Sequence, residues 1–394
     1  MWTKKNLTEQ QNEFNKKHGW YWQEFNKFST TTDKIISDYL SDKKPLVSAQ
    51  FPPYLSFSLT YNCNLKCKMC FQYNRIKYSD YLSIDEYIKI TDEIKGWGTK
   101  PWVTLWGGEP TLHPEFEKIY RRFLDSAGLL AVCTNGTTLD EFLHLFKFKN
   151  SKTFWIISLD GLEKRHDELR GWGSFKKTSL NLEKIIKIRN DEKTNHLIGV
   201  EITITNNNLD EIPSLCSLLI KMGVDLIVIN HLWYLNKEAS DKYIKELNIF
   251  SEHKLNIENS SLGYVIEKQD LPAPHDVYDC IEKAESRVDG KSLLFTMPIY
   301  GLKGINNHYN FNQAWKDPFN CYKNLVKFDF DTIGNVTPCK PFPDITYGNI
   351  RNSTLLEIWN DFKRIEIVEK IITQKGFSVC NMCPDKALSL PYKD

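Results

Sequence analysis

Between residues 54 and 230, short β-rich segments alternate with segments of helical periodicity. The predicted strands are Tyr54–Thr60, Trp102–Trp106, Leu129–Cys133, Phe154–Leu159, Leu197–Thr205 and Leu226–Asn230. The helical periodicities between them are Ile84–Lys95, Glu115–Ser126, Leu139–Phe146, Lys176–Arg189 and Leu209–Met222. Strands that alternate with helices form parallel βα units, so the pattern predicts an α/β fold whose sheet either curls into a barrel or is doubly wound. In both cases the chemistry lies at the C-terminal ends of the strands.

The segments on either side of this α/β region have different patterns. Residues 1–50 are polar with interleaved aromatic residues, and they predict an N-terminal helical arm packed on the main domain. Residues 231–314 are predicted to form an irregular, aromatic-rich bridge. From Trp315 a smaller α+β module combines a hairpin signal around Gly334 with a helix near Thr354–Ile372. The predicted domains are 1–50, 51–235, 236–314 and 315–394.

The charge balance of the chain excludes some classes of partner. Its 394 residues carry 51 Lys and Arg against 50 Asp and Glu, a formal charge of +1. Without a strong positive field, neither nucleic acid nor an anionic membrane is an expected partner. No apolar run approaches the roughly 18 to 20 residues that span a bilayer, and the N-terminus lacks the apolar core of a signal peptide. We therefore expect a cytoplasmic protein whose cysteines stay reduced.

Three of the ten cysteines lie in one short loop. Cys63, Cys67 and Cys70 directly follow the first predicted strand. Three thiolates can converge on a metal centre and leave a position open, as in a catalytic site, or leave one iron of a [4Fe–4S] cluster without a protein ligand. A partial zinc knuckle or a chance spacing is the alternative.

The other seven cysteines divide into a set of four and three single residues. The four span the predicted hairpin and helix of the C-terminal module: Cys321, Cys339, Cys380 and Cys383. Four cysteines satisfy either a closed tetrahedral zinc site or a fully ligated [4Fe–4S] cluster, and spacing alone does not separate the two. Cys133, Cys216 and Cys280 are each predicted to be packing residues.

Motifs rich in glycine and polar residues follow the second, third and fourth strands. In the Gly107–Glu109 segment the two glycines allow close approach of the backbone to a ligand, and the glutamate can accept hydrogen bonds from an ammonium group. A structural turn without ligand contact is an equally good interpretation of this segment. For Thr134–Gly136, ligand contact and a structural turn are likewise equally good interpretations. Ser158 ends the fourth strand in a Ser-Leu-Asp-Gly segment.

The three-cysteine loop after a first β-strand resembles the Cys-x3-Cys-x2-Cys motif of the radical S-adenosylmethionine (SAM) superfamily, and the likeness extends through most of residues 54–383. It implies a partial (β/α)6 barrel and a [4Fe–4S] cluster on Cys63, Cys67 and Cys70, whose open iron binds SAM. In that family one electron cleaves SAM to a 5′-deoxyadenosyl radical, which abstracts a hydrogen atom from a substrate. The resemblance also implies a one-electron donor such as flavodoxin or ferredoxin.

The same resemblance assigns individual residues to SAM. The Gly-Gly-Glu segment matches the family's motif for the SAM amino group, and Met69 occupies a position beside the adenine that is commonly aromatic. The resemblance implies that Ser158 contacts the SAM carboxylate or ribose. For Arg170 the same contact and a surface salt bridge are equally good interpretations. Asn206 is a weaker ribose candidate, with a cap or turn role as its alternative. The implied SAM residues are Met69, Gly107, Gly108, Glu109, Ser158, Arg170 and Asn206.

The C-terminal module resembles the twitch module, a truncated SPASM domain that follows radical SAM barrels. This implies that its four cysteines hold an auxiliary [4Fe–4S] cluster rather than zinc, which makes two [4Fe–4S] clusters in all. Cys280, in the predicted bridge, could also donate a hydrogen atom to a substrate radical, as in peptide epimerases of this family. Packing is the favoured interpretation of that residue.

The resemblance implies a radical SAM oxidoreductase that holds its substrate between the barrel mouth and the C-terminal module. Modification of a peptide by oxidation, cross-linking or epimerisation is favoured, because Ser158–Gly161 and the following His166-Asp167 and Arg170-Gly171 resemble peptide-modifying members. Oxidation of an aminocyclitol or sugar alcohol is one alternative. Another, from a different class, is a non-catalytic iron–sulfur or zinc protein that binds a partner.

Overall fold

The computed structural model describes residues 4–41, 51–72, 80–149, 151–250, 261–288, 292–298, 300–310 and 321–383. Its strands are β1 (Tyr54–Ser58), β2 (Trp102–Trp106), β3 (Leu129–Thr134), β4 (Thr153–Ser158), β5 (Leu197–Thr203), β6 (Leu226–Asn230), β7 (Leu293–Met297), β8 (Lys327–Phe330), β9 (Asn335–Thr337) and β10 (Gly348–Asn349). They form one sheet in the order β10-β9-β8-β1-β2-β3-β4-β5-β6-β7.

Strands β1 to β7 are parallel, and each pairs with the next one along the chain. The six predicted strands are confirmed, with ends that differ by one or two residues. The parallel pairing places all their C-terminal ends at the same edge of the sheet. The loops that follow β1 to β4, which carry the predicted site residues, therefore meet there.

Eleven α-helices lie within the described residues. They are α1 (Lys4–Leu40), α2 (Ile84–Gly96), α3 (Phe116–Ser126), α4 (Glu163–Arg170), α5 (Ser174–Glu192), α6 (Ile212–Met222), α7 (Lys237–Glu246), α8 (Pro274–Glu285), α9 (Leu302–His308), α10 (Leu355–Asn360) and α11 (Phe362–Thr373). The predicted helix Leu139–Phe146 is a 3-10 helix over Leu139–Lys147. None of these helices combines the length and the apolarity needed to cross a bilayer.

Helices α2, α3, α5 and α6 cover one face of the sheet, which we call the outer face. Their apolar residues form one core with alternate residues of the strands, such as Leu105 in β2 and Val200 in β5. Helix α2 begins in a capping box, in which the Ser83 side chain accepts from the Glu86 amide and the Glu86 carboxylate accepts from the Ser83 amide. This start directs buried Tyr87 and Ile94 toward the core.

Helix α1 lies across the opposite, inner face of the sheet. Phe14 and Tyr21 pack with residues at the beginnings of the strands, among them Leu129 in β3, Phe154 in β4 and Leu226 in β6. The prediction of a helical arm packed on the main domain is confirmed for α1. The arm covers the N-terminal ends of the strands on the inner face. It leaves their C-terminal ends, where the predicted site lies, uncovered.

One buried acid fastens α1 to the sheet. The Asp225 carboxylate accepts from Lys17 at 2.6 Å and contacts His18 Nε2 at 3.0 Å, both in α1. It also pairs with the buried Arg189 of α5 and accepts from the Ile198 amide at 2.9 Å. Burial opposes the charge, but hydrogen bonding and the nearby positive charges lower the pKa of Asp225 to about 2.

Replacing Asp225 by asparagine is expected to lower the free energy of unfolding by about 3 kcal/mol, because Arg189 would remain buried without its counterion. The folded pKa lies below the ordinary 3.8, so this contribution is complete above that value and is lost as pH falls toward about 2. Urea unfolding near neutral pH and near pH 2.5 measures both effects. Asp191→Asn, which removes an exposed ion pair with Lys187, is the matched control. An Asp225→Asn protein as stable as wild type at neutral pH would contradict the prediction.

The described part of the segment predicted as an irregular bridge contains helices and a strand, so that part of the prediction is wrong. Helices α7, α8 and α9 lie within residues 231–314, and strand β7 pairs in parallel with β6. Strand β7 has only five residues and lacks the alternation that marks a strand with one exposed face. The predicted domain boundaries remain predictions.

The C-terminal module extends the main sheet. Strand β8 pairs in parallel with β1, and β9 and β10 follow in antiparallel order. The hairpin predicted around Gly334 is confirmed. The single predicted helix is instead two, α10 and α11, because Asp361 takes an extended conformation and caps α11 by accepting from the Lys363 amide.

Candidate functional site: the cysteine loop and the barrel cavity

The exposure pattern of the inner face reveals a cavity. In β3 to β7 the inner-facing residues are buried near the start of each strand, under α1, and partly exposed near its end. The partly exposed residues are Cys133, Ile156, Ser158, Glu201, Thr203, Asn230, Phe295 and Met297. Because their neighbours along each strand are buried in the outer core, these side chains line a space open to solvent. We call this space the barrel cavity.

The three-cysteine loop begins at Cys63, shortly after the end of β1, and lies at the edge of the barrel cavity. The Cys63 sulfur accepts from the Leu65 amide at 3.4 Å, and the Cys70 amide donates to the Cys67 carbonyl at 3.1 Å. Burial, together with the ionised forms of Glu109, Cys67 and Cys70, raises the pKa of the Cys63 thiol to about 12. The three thiols therefore lie within electrostatic reach of one another.

The donor set of this loop is compatible with a cluster. Among the described residues, no three cysteine, histidine or acidic side chains are gathered around one ion position. Each cysteine of a [4Fe–4S] cluster binds a different iron, so its ligands stand farther apart than those of one ion. Three partly exposed thiols, Cys63, Cys67 and Cys70, are compatible with such a cluster.

The two glycines after β2 are required by the backbone that precedes the cysteine loop. A Cβ atom on Gly107 would lie 2.3 Å from the Thr60 carbonyl oxygen, and one on Gly108 would lie 2.3 Å from the Asn62 carbonyl oxygen. Gly107 also has a φ of +146°. The Gly108 amide donates to the Thr60 carbonyl at 2.7 Å. The close approach predicted for these glycines is thus made to the chain itself, and their contact with SAM remains a prediction.

Glu109 is fully buried and joins the turns after β2 and β3. Its Oε1 accepts from the Thr111 hydroxyl at 2.6 Å and from the Thr134 hydroxyl at 2.7 Å, and its Oε2 accepts from the Asn135 amide at 2.7 Å. Burial raises the pKa of Glu109, and these hydrogen bonds oppose the increase. The carboxylate is held in one orientation, and its role toward the SAM amino group stays a prediction.

The turn after β3 holds the cysteine loop through side-chain amides. Asn135 donates to the Asn64 side-chain oxygen at 2.9 Å, and Asn64 donates to the Thr137 hydroxyl at 2.8 Å. The Asn135 amide nitrogen also lies 4.0 Å from the Cys63 sulfur. Sequence reasoning missed Asn64, because its partner residues lie more than 70 positions away in the chain.

Arg170 lies beside the cysteine loop in a buried ion pair. Its Nε donates to Asp160, and its Nη1 lies 3.9 Å from the Cys67 sulfur. Arg170 thus forms a salt bridge, as its alternative interpretation expected, but with a fully buried partner and with 12% of its own side chain exposed. Its contact with SAM remains a prediction. Burial opposes the guanidinium charge, but Asp160 and Cys67 raise its pKa. Asp160 also accepts from the Thr203 amide at 2.8 Å, and this fixes the pair between β4 and β5.

Of the three remaining residues that the resemblance assigned to SAM, one lines the barrel cavity and two do not. Ser158 ends β4 and lines the barrel cavity. Met69 is partly buried and packs against the outer core. Asn206 is exposed and donates to the Gln269 carbonyl at 3.4 Å, while the turn role falls to Asn208, which accepts from the Thr205 amide at 2.8 Å.

The four C-terminal cysteines are brought together around Cys339. Burial raises the pKa of Cys339 well above its usual range, and the ionised forms of Cys383, Cys380 and Cys321 raise it further. The Cys383 amide donates to the Cys380 carbonyl at 3.2 Å, so the Cys-x2-Cys pair forms a tight turn. Four thiolates suit either a cluster or zinc by ligand type, so the identity of the ligands does not separate the two metals.

Aromatic side chains connect the cysteine loop to the C-terminal module. The Phe71 ring centroid lies 6.3 Å from that of Trp106 and 5.3 Å from that of Trp233. Trp233 in turn lies 5.7 Å from Phe342. Lys340, next to Cys339 in the chain, places its ammonium 3.8 Å from the Trp106 ring centroid. The barrel cavity is therefore bordered on one side by the C-terminal module.

The three single cysteines have different surroundings. Cys216 and Cys280 are buried in the outer core, as predicted for packing residues. The position of Cys280 on α8 does not support its assignment as a hydrogen donor to substrate. Cys133 is not a simple packing residue, because it lies on the inner face and lines the barrel cavity.

Two protein families match this chain. Residues 57–219 match the Radical SAM superfamily, and residues 321–384 match SPASM, an iron–sulfur cluster-binding domain. The chain therefore contains a radical SAM domain followed by a SPASM domain. The first match contains the three-cysteine loop, and the second contains the four C-terminal cysteines. The cofactors that these two domains imply are SAM and [4Fe–4S] clusters.

Three curated proteins show the range of its relatives. The chain is 28% identical over 199 residues to the tungsten-containing aldehyde ferredoxin oxidoreductase cofactor-modifying protein of Pyrococcus furiosus, covering 50% of this chain and 56% of that protein. It is 24% identical over 356 residues to the AdoMet-dependent heme synthase of Methanosarcina barkeri, covering 85% of this chain and 92% of that protein. It is 30% identical over 175 residues to the subtilosin biosynthesis protein AlbA of Bacillus subtilis, covering 44% of this chain and 38% of that protein.

A solved structure shares the fold of this radical SAM enzyme. Streptococcus suis SuiB bound to S-adenosylmethionine matches with a TM-score of 0.60 at 15% identity, covering 85% of this chain and 72% of that chain. This likeness confirms the expected fold, a partial α/β barrel with a C-terminal SPASM-type module. The sequential order of β1 to β7, with helices α2, α3, α5 and α6 on one face, is that of a barrel and not of a doubly wound sheet.

Proposed function

We propose that this radical SAM enzyme modifies a peptide whose reacting residue enters the barrel cavity. When bound, SAM and its cluster supply a 5′-deoxyadenosyl radical that removes a hydrogen atom from a substrate C–H bond. Cys63, Cys67 and Cys70 would hold that cluster, and the four C-terminal cysteines would hold an auxiliary one. A ferredoxin or flavodoxin would supply the electron.

The observation that carries the proposal is the position of the barrel cavity. It opens at the C-terminal strand ends, between the three-cysteine loop and Lys340 of the SPASM domain. A substrate group in this space lies beside the predicted SAM residues Ser158 and Arg170. The Arg170–Asp160 pair would keep the guanidinium pointed at the cysteine loop, where a carboxylate of SAM could accept from its free N–H groups.

The wall chemistry of the cavity suits a peptide. Ser158, Thr203 and Asn230 offer hydroxyl and amide groups that can bond to peptide N–H and C=O groups, and Phe295 and Met297 offer apolar contact. The Ser158–Gly161 segment, which the resemblance links to peptide-modifying members, forms part of this wall. The match to the subtilosin biosynthesis protein AlbA supports the same class.

Modification of a tetrapyrrole is the second candidate, and one observation favours it. The match to the AdoMet-dependent heme synthase covers 85% of this chain and 92% of that protein, far more than the match to AlbA. Lys340 could bind a propionate carboxylate of such a substrate through its ammonium group.

The experiment compares the two substrate classes in anaerobically reconstituted enzyme. We expect dithionite-reduced enzyme to release 5′-deoxyadenosine from SAM, measured by liquid chromatography. Addition of a short peptide encoded beside the gene should stimulate that release and yield a product lacking two hydrogen atoms, or containing solvent deuterium at one residue. Stimulation by iron coproporphyrin III, with no change in the peptide mass, would overturn the proposal in favour of the second candidate.

A further inference from the structure

Glu201 is an acid that the assigned cofactors leave unused. It lies on the inner face of β5 and is partly exposed to the barrel cavity. Its Oε1 accepts from the side-chain amide of Asn230, at the end of β6. Its Oε2 has no hydrogen-bond partner among the described residues, and none of their Lys, Arg or His nitrogens lies within ion-pair distance of it.

The positive charges nearest to Glu201 are engaged elsewhere. Arg170 pairs with the buried Asp160, and Lys340 places its ammonium on the face of Trp106. Both are close enough to interact electrostatically with Glu201 without contacting it. Burial and the Asp160 charge raise the pKa of Glu201, and the Asn230 hydrogen bond and the charges of Arg170 and Lys340 oppose the increase. The cavity wall therefore presents a carboxyl group whose ionised form a cation from outside the chain would stabilise.

A carboxylate removed from bulk water is costly unless it is paired and hydrogen-bonded. Asp160, the acid that interacts electrostatically with Glu201, is itself paired with Arg170. A glutamate that has no ion-pair partner among the described residues and lies at the open end of a cavity is suited to bind a cation from outside the chain. Asn230 would orient it by holding one of its two oxygens.

We propose that Glu201, oriented by Asn230, binds a basic side chain of the substrate, the ammonium of lysine or the guanidinium of arginine. This inference rests on the proposed peptide function and adds to it a specificity-determining residue. It predicts that the peptide carries a lysine or arginine at, or next to, the residue that is modified. Lys340 and Arg170 would repel a second cation, so the subsite admits one basic group.

The test measures binding of small probes without turnover. Nα-acetyl-lysine amide and its uncharged analogue Nα-acetyl-norleucine amide are titrated into anaerobic, SAM-loaded holoenzyme by calorimetry. Wild type should prefer the lysine probe by about tenfold, the effect of one charge-assisted hydrogen bond. Glu201→Gln should bind the two probes within about twofold of each other, because the amide keeps the shape and loses the charge.

Two further variants keep the result interpretable. Glu201→Asp keeps the charge and should retain a preference for the lysine probe, even if Glu201→Gln fails to fold. Glu183→Gln changes an exposed glutamate of α5 in the same way and should behave as wild type. A wild type without preference, or a Glu201→Gln protein that keeps it, would overturn the inference.

The outcomes also separate this inference from the proposed function. If peptides are not modified, the mass assay fails while the preference for the lysine probe persists. If instead Glu201→Gln weakens SAM binding while wild type shows no preference between the probes, Glu201 belongs to the SAM site and the inference is overturned.

Discussion

Replacing Cys63, Cys67 and Cys70 by alanine is expected to abolish the formation of 5′-deoxyadenosine and to remove about half of the protein's iron. The reason is that the three thiols lie within electrostatic reach of one another beside the barrel cavity, and three ligands leave one iron of a cluster open. Iron analysis and chromatographic assay of SAM cleavage measure the two effects on anaerobically reconstituted protein.

Cys216→Ala is the matched control, because this thiol is buried in the outer core, away from both cysteine groups. It should keep wild-type iron content and SAM cleavage, with some loss of thermal stability from the small cavity it creates. A triple variant that still cleaves SAM would show that the three-cysteine loop is not the catalytic centre.

The four C-terminal cysteines are expected to hold iron and little zinc. Anaerobically purified and reconstituted protein should contain about eight irons per chain, from two clusters of the four-iron type. Replacing Cys321, Cys339, Cys380 and Cys383 together by alanine should leave about four irons, and Cys63, Cys67 and Cys70 should then account for them. The match to an iron–sulfur cluster-binding domain over residues 321–384 supports iron at this site.

The metal content decides this prediction, because four thiolates suit both metals. Elemental analysis by mass spectrometry, with the cluster absorbance near 400 nm followed in parallel, distinguishes them. About one zinc with four irons per chain would contradict the expectation. Such a metal content would mean that the C-terminal module holds a structural zinc ion, which cannot carry an electron.

The element pattern of the chain could be predicted where hydrophobic periodicity is strong. Helices α2, α3, α5 and α6 bury one face, which makes their sequences periodic, and strands β1 to β6 stand out between them as short apolar runs. Helix α4 was missed because its sequence is almost entirely polar, and strand β7 was missed because five apolar residues do not identify a strand by themselves. Both are stabilised by contacts that form only in the folded protein.

The three cysteines predicted to hold the SAM-binding cluster have a local signal. Cys63, Cys67 and Cys70 lie within eight residues, and the chemistry of a thiolate leaves few other uses for that spacing. The family resemblance extended the assignment to the Gly-Gly-Glu segment in the same local way. Sequence alone therefore determined the fold class, the cofactor chemistry and the edge of the sheet that carries the site.

Only the tertiary structure decided which strand residues face the barrel cavity. Buried parallel strands are apolar on both faces, so their sequence does not distinguish the face under α1 from the face under the outer helices. The position of α1 settles the matter, because it covers the strand beginnings and leaves Glu201 and Cys133 exposed at the ends. The approach of Lys340 to Trp106 joins residues more than two hundred positions apart, and no local pattern encodes such a contact.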